Sequence, residues 1–218
     1  MNTLNILYED KNLIVVIKPV GVESQSSDGF DEDMVSLIQK HLPDTGKEPY
    51  VGVVHRLDRN VSGVMVYALD RDTAAALSKD VAAGKLKKTY EAIVSGSLKE
   101  KKGEMKDWLV KDARENKTRV SSPKEKGAKE AILRYKVLEN KFTNGKQLSK
   151  VEIELITGRH HQIRAQFASR NNPLLGDVKY GYSGDERELA LCAVGLEFTH
   201  PKTKKLMRYR YDWNRHIG

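Results

Sequence analysis

Residues His55 to Asp58, "HRLD", set an imidazole, a guanidinium and a carboxylate within four positions, and the stretch from Gly63 to Leu69 that follows is unbroken apolar sequence. A carboxylate held beside cations is favoured in its ionised form and could act as a nucleophile or a base. The ordinary alternative is a loop with Arg56 and Asp58 in solvent and His55 as a satisfied polar residue. Position favours chemistry, because a carboxylate just ahead of a buried strand sits at a sheet end, where clefts form. A second charged stretch, "TGRHHQIR" at Thr157 to Arg164, leaves a strand and enters a helix, with His160 and Arg164 four apart on one face. Its ordinary reading is a basic helix end. Adjacent helical histidines such as His160 and His161 point about 100° apart and make poor joint metal ligands. "KKTY" places Lys88 near Tyr90, which suits a nucleic-acid groove with a base stacked on the ring; a half-buried strand tyrosine is the plainer use of the same residue. Asp177, in "PLLGDVKYG", reads as a turn former.

Composition narrows the partners. The chain has 218 residues, 31% charged and 39% hydrophobic, with a formal net charge of +8. That is globular rather than disordered, and the charge favours a polyanion such as nucleic acid. Cys192 is the only cysteine, so an internal disulfide and a multi-cysteine zinc site are excluded. No phosphate loop of Walker spacing, dinucleotide fingerprint or zinc signature occurs, and no cofactor or metal is expected. Ser62 lacks the flanking glycine of a nucleophile elbow. The first residues form no basic, apolar leader, and no stretch of about 18 apolar residues exists, so a cytoplasmic protein away from membranes is expected.

The elements that would position these groups follow from periodicity. Leu4–Tyr8 and Leu13–Ile17 read as strands joined at "EDKN", and "KPVG" ends the pairing. A weak helix is predicted over Met34–His41. Val64, Val66 and Ala68 face one way and Met65, Tyr67 and Leu69 the other, all apolar, as in a central strand. Asp70 or Asp72 caps a helix running to about Ala83, and Gly84 ends it. "KTYEAIVSG" is a strand, and residues 99–130 are surface hairpins. Further strands are predicted at Ala131–Leu138, Leu148–Ile156, Glu188–Phe198 and Leu206–Tyr211, with a helix after "TGRHH" in which Ile163 and Phe167 form the packing stripe. The sum is one α+β domain over residues 1–218 with a mixed, largely antiparallel sheet, flanking helices and a central cleft.

Taken in order, five blocks resemble the RluA-type family of RNA pseudouridine synthases: "KPVG" at Lys18–Gly21, "HRLDRNVSG" at His55–Gly63, "KKTYEAIVSG" at Lys87–Gly96, "TGRHHQIRAQFA" at Thr157–Ala168 and "PLLGDVKYG" at Pro173–Gly181. The resemblance implies the fold of that family and isomerisation of a uridine in RNA, without cofactor or metal. It assigns the essential aspartate to Asp58, the active-site tyrosine to Tyr90 and the arginine that pairs with the aspartate to Arg164. It also sends Arg56 into the RNA beside a flipped nucleotide, with His55, Lys88, Arg159, His161 and Gln162 as further substrate contacts. The sequence departs from the family pattern at Val61, Gln166 and Cys192, where threonine, histidine and histidine are usual. The chain starts directly at the catalytic-type segment, so no separate amino-terminal RNA-binding domain is expected.

A uridine in folded RNA is stacked, so acting on its glycosidic bond requires extrusion at a cost of a few kcal/mol, which arginine contacts and stacking on Tyr90 would offset. The expected partner is a structured hairpin of ribosomal or transfer RNA, met by a monomer. Two other classes remain: an RNA-binding assembly factor that has lost catalysis, and an N-glycoside hydrolase, which needs a second carboxylate to direct water.

Overall fold

The computed structural model describes residues 4–26, 32–43 and 48–215. They fall into two compact units, Met1–Lys88 with Ala193–Asp212, and Thr89–Cys192 with Trp213–Gly218.

In the first unit, strands β1 (Asn5–Glu9) and β2 (Leu13–Lys18) form a hairpin. Asp10 closes it, its Oδ1 accepting from the backbone N–H groups of Asn12 and Leu13 at 2.8 and 2.9 Å. This is the turn predicted at "EDKN". Helix α1 (Met34–His41) follows, capped by Asp33 on the Ser36 N–H at 2.7 Å. The short β3 (Gly52–Val53) had no counterpart in the sequence reading, since two residues carry no period. Strand β4 (Ser62–Ala68) pairs antiparallel with β2 from Leu13↔Ala68 to Lys18↔Gly63. All of β2 and all but the first residue of β4 are buried, as sequence apolar on both faces demands.

Helix α2 (Arg71–Ala82) is capped by Asp70, which accepts from the Thr73 N–H at 2.8 Å, and it ends ahead of Gly84 at φ +67°. Its Leu77 packs with Leu13, Val15, Val64, Val66, Leu196 and Phe198. Each such aliphatic side chain contributes about 1.5–3 kcal/mol by leaving water. Strand order in this unit is β1, β2, β4, then β10 (Leu191–Thr199), with β11 (Leu206–Arg210) on β10 and β3 on β4. Gly63, at φ +131°, stands where a Cβ would lie 2.2 Å from the carbonyl oxygen of Ala193.

The second unit is built on β5 (Lys87–Ser95, entered at Thr89), β6 (Lys102–Asp112), β7 (Lys117–Ser121), β8 (Lys129–Thr143) and β9 (Lys146–Leu155). Their order is β5, β9, β8, β6, β7, with antiparallel pairing throughout. The β6–β7 hairpin fulfils the hairpin expectation for residues 99–130. Strands β8 and β9 run further toward each other than predicted, because Asn144 and Gly145, at φ 50° and 73°, form the two-residue turn that Asn-Gly favours. Helix α3 (Gln162–Ala168) starts later than predicted, so His160 and His161 precede the helix instead of lying on it. A single 3-10 turn spans Val178–Tyr180. Strands outnumber helices and the class is α+β, as expected. Among the described residues no helix is long and apolar enough to cross a membrane.

Candidate functional site

Asp58 stands in the loop between β3 and β4, half-buried, and its carbonyl accepts from the Val61 N–H at 2.9 Å in a tight turn. The residues on either side of it are pinned. On one side the Ser24 hydroxyl both donates to the Leu57 carbonyl at 2.9 Å and accepts from the Leu57 N–H at 3.0 Å. On the other, the Arg59 carbonyl accepts from the Gly21 N–H at 2.8 Å and from the Lys18 ammonium at 3.2 Å, while Arg59 Nε donates to the Gly21 carbonyl at 2.9 Å. Lys18 is fully buried, and its charge is compensated further by the carbonyls of Pro19 and Val22 at 2.9 and 2.6 Å. The "KPVG" block is therefore the clamp of the Asp58 loop. The sequence showed the block without its task, because the partners lie some forty residues away.

His55 is buried and turned inward, Nε2 accepting from the Val66 N–H of β4 at 3.2 Å. Burial and the Lys88 charge push its pKa well below the ordinary histidine value, so the ring is neutral with its proton on Nδ1. Nδ1 is buried and has no partner among the described residues. Arg56, by contrast, is exposed and has no hydrogen bond or ion pair among the described residues. Lys88 is half-buried, similarly unpaired among them, and desolvation lowers its pKa to about 8.

In the second unit Tyr90 lies on β5 opposite Ile153 of β9 and is only 5% exposed, which leaves little of the ring open to a base. Arg164, on α3, makes a two-pronged ion pair with Asp177, Nε to Oδ2 and Nη2 to Oδ1, both at 2.7 Å. Its Nη1 meets His161 Nε2 at 3.1 Å, and its Cζ lies 4.8 Å from the centre of the Tyr180 ring. Lys117 covers the same ring at 5.4 Å. His161 adopts a left-handed backbone, φ 50°, which is uncommon outside glycine. Its ring stacks on His160 at 3.8 Å, and burial together with the Arg164, Lys179 and Lys111 charges lowers its pKa to about 3.

Gln162 is buried and spent on structure: it accepts from Thr157 Oγ1 and the Arg159 N–H and donates to the Ile132 carbonyl. Arg159 is exposed, with Nε on the Glu130 carbonyl at 2.8 Å. Sequence reasoning missed Ser24, Tyr180 and the use of Asp177. The last two were present as a spacing, Asp-x-x-Tyr, inside a block legible only as a turn.

Of the positions that depart from the family pattern, Gln166 is fully buried, its Nε2 donating to Asp107 Oδ2 at 2.7 Å and to the carbonyls of Met105 and Ala131. Val61 and Cys192 are buried.

Similar known proteins set the chain in a family. The RNA pseudouridylate synthase family matches residues 12–169. The chain is 37% identical over 209 residues to the uncharacterized RNA pseudouridine synthase YhcT of Bacillus subtilis, covering 94% of this chain and 67% of the relative. It is 32% identical to ribosomal large subunit pseudouridine synthase D of Haemophilus influenzae, covering 94% and 66%. With ribosomal large subunit pseudouridine synthase C of Buchnera aphidicola it shares 34% identity, covering 92% and 64%. The chain thus spans about two thirds of the length of these relatives. Two human proteins, RNA pseudouridylate synthase domain containing 1 and 4, share its fold with TM-scores of 0.80 and 0.79 at 22% and 24% identity, over 96% and 97% of this chain and 83% and 89% of theirs. The family match spans the clamped "HRLD" loop, and the chain belongs to the RNA pseudouridylate synthases, in the RluA-type group.

Proposed function

We propose that the chain converts a specific uridine of ribosomal large-subunit RNA to pseudouridine, with Asp58 as the essential carboxylate. The N1–C1′ bond breaks, the uracil turns, and C5 bonds to C1′ as the C5 proton leaves and N1 regains one; the product is an isomer and no co-reactant is consumed. The observation that carries this reading is the Asp58 loop. Its neighbours on both sides are tied to the "KPVG" segment and Ser24, whereas Arg56 within it is exposed. A carboxylate on a fixed backbone beside an uncommitted cation suits attack on, or proton removal from, a sugar whose base has been extruded. Arg56 then fills the space or holds phosphate, Lys88 and Arg159 add phosphate contacts, Tyr90 flanks the uracil and Arg164 supplies the assisting cation. His55 holds the Val66 N–H and Gln162 the backbone of Arg159 and Ile132, so we assign them to structure rather than to RNA. The ribosomal choice follows the relatives named for the large subunit. The enzyme is proposed to act in the cytoplasm as a monomer without a cofactor, on a compact hairpin.

The test offers purified protein large-subunit RNA, short hairpins cut from it, and transfer RNA, followed by mapping of pseudouridine. We expect product at one or a few large-subunit positions, and binding without product for Asp58→Asn. Turnover by Asp58→Asn in a single-turnover assay would remove the assignment. Binding without product by the unaltered protein on every RNA would favour the assembly-factor reading, and free uracil would favour hydrolysis.

A further inference from the structure

Arg164 is held on several sides by His161, Asp177 and Tyr180 of the second unit. The Asp177 carboxylate is fully excluded from solvent and gives both oxygens to Arg164. His161 Nε2 faces Arg164 Nη1, and arginine has no acceptor, so Nε2 carries the lone pair and Nδ1 the proton. Nδ1–H then donates to the Tyr180 hydroxyl at 2.9 Å, which also accepts from the Thr118 N–H at 2.8 Å. The Tyr180 ring lies against the face of the guanidinium whose edges Asp177 and His161 hold.

We propose that Asp177, His161 and Tyr180 are positioning residues that fix the plane and direction of the Arg164 guanidinium for the isomerisation. The inference rests on the catalytic reading of Arg164 given above. A guanidinium on a flexible stem loses orientation if its edge contacts go, and misplacement of about 1 Å costs about a hundredfold in rate. The plainer alternative is an ion pair that only closes the loop 173–182 onto α3; that role would lower stability and leave the rate of folded protein unchanged.

Single-turnover rates, KM and pH–rate profiles separate the two for Asp177→Asn, Tyr180→Phe, Arg164→Ala and the double variants. Asn leaves one acceptor for two N–H groups, whereas Phe keeps the ring and removes only the hydroxyl. We expect Asp177→Asn to lower kcat about a hundredfold and Tyr180→Phe about tenfold, with KM within about threefold of the starting value. In the Arg164→Ala background neither change should slow the reaction further, and the pH–rate profile of Asp177→Asn should move toward that of Arg164→Ala. Folded Asp177→Asn with full rate, or losses that multiply in the Arg164→Ala background, overturns the proposal. Should Asp177→Asn fail to fold, full rate in Tyr180→Phe overturns it. Full rate in Arg164→Ala removes the catalytic reading of Arg164 itself, a result distinct from the others.

Discussion

At Lys88 the half-buried ammonium has lost enough hydration that its pKa falls to about 8. The cation is therefore present below about pH 8 and lost as pH rises through it. If Lys88 holds phosphate, RNA affinity falls between pH 8 and 9 by about fivefold, and Lys88→Arg, whose guanidinium keeps its charge, flattens that slope. Filter binding across pH 7 to 9.5 reads this directly, and an unchanged slope in Lys88→Arg would take Lys88 out of the RNA contacts. Tyr90→Phe tests a different chemistry. The ring and its packing remain while the hydroxyl goes, so we expect RNA binding within about twofold and a reduced single-turnover rate; an unchanged rate leaves Tyr90 only a platform. The residues that reach solvent from the charged stretches were legible as such in the sequence. His55 and Gln162 read as RNA contacts in the sequence, and their bonds to backbone groups were hidden because a polar residue in a polar run gives no sign of which backbone group will claim it.

Elements were legible where they carried a period. The β2 and β4 strands, α1 and the Asp70 cap of α2 all follow from apolar spacing and capping chemistry. The late start of α3 was hidden because "GRHHQIR" allows a helix from either histidine, and only the left-handed turn at His161 decides. The clamp on Asp58 and the cradle of Arg164 were hidden for another reason: each joins residues from separate stretches of the chain, and a single sequence holds no trace of such pairing. Gly63 places a strict demand on β4. Its φ of +131° and the Ala193 backbone 2.2 Å from a notional Cβ act together, so Gly63→Ala should cost more than about 4 kcal/mol and leave little folded protein at 37 °C. A chemical-denaturation midpoint within error of the parent would disprove the tight fit. Gly84→Ala, in open space at φ +67°, should cost only about 1–2 kcal/mol.

Across the whole molecule the net charge of +8 sets how it meets a polyanion. Each phosphate neutralised in a single strand contributes about −0.7 to the slope of log affinity against log salt, so we expect a slope steeper than about −3 for a hairpin substrate. A slope near zero would mean that base contacts, not charge, hold the RNA. The division of the chain also orders events in time during synthesis. The first unit needs Ala193–Asp212, which leave the ribosome only after the roughly hundred residues of Thr89–Cys192. At about 5–20 residues per second that is a wait of roughly 5–20 s. Throughout it the apolar β4 strand lacks its β10 neighbour and presents an unpaired edge, the kind of surface that misassembles or recruits chaperones. The bulk of the second unit can settle meanwhile, so the Asp58 loop, although translated first, belongs to the unit that is completed late.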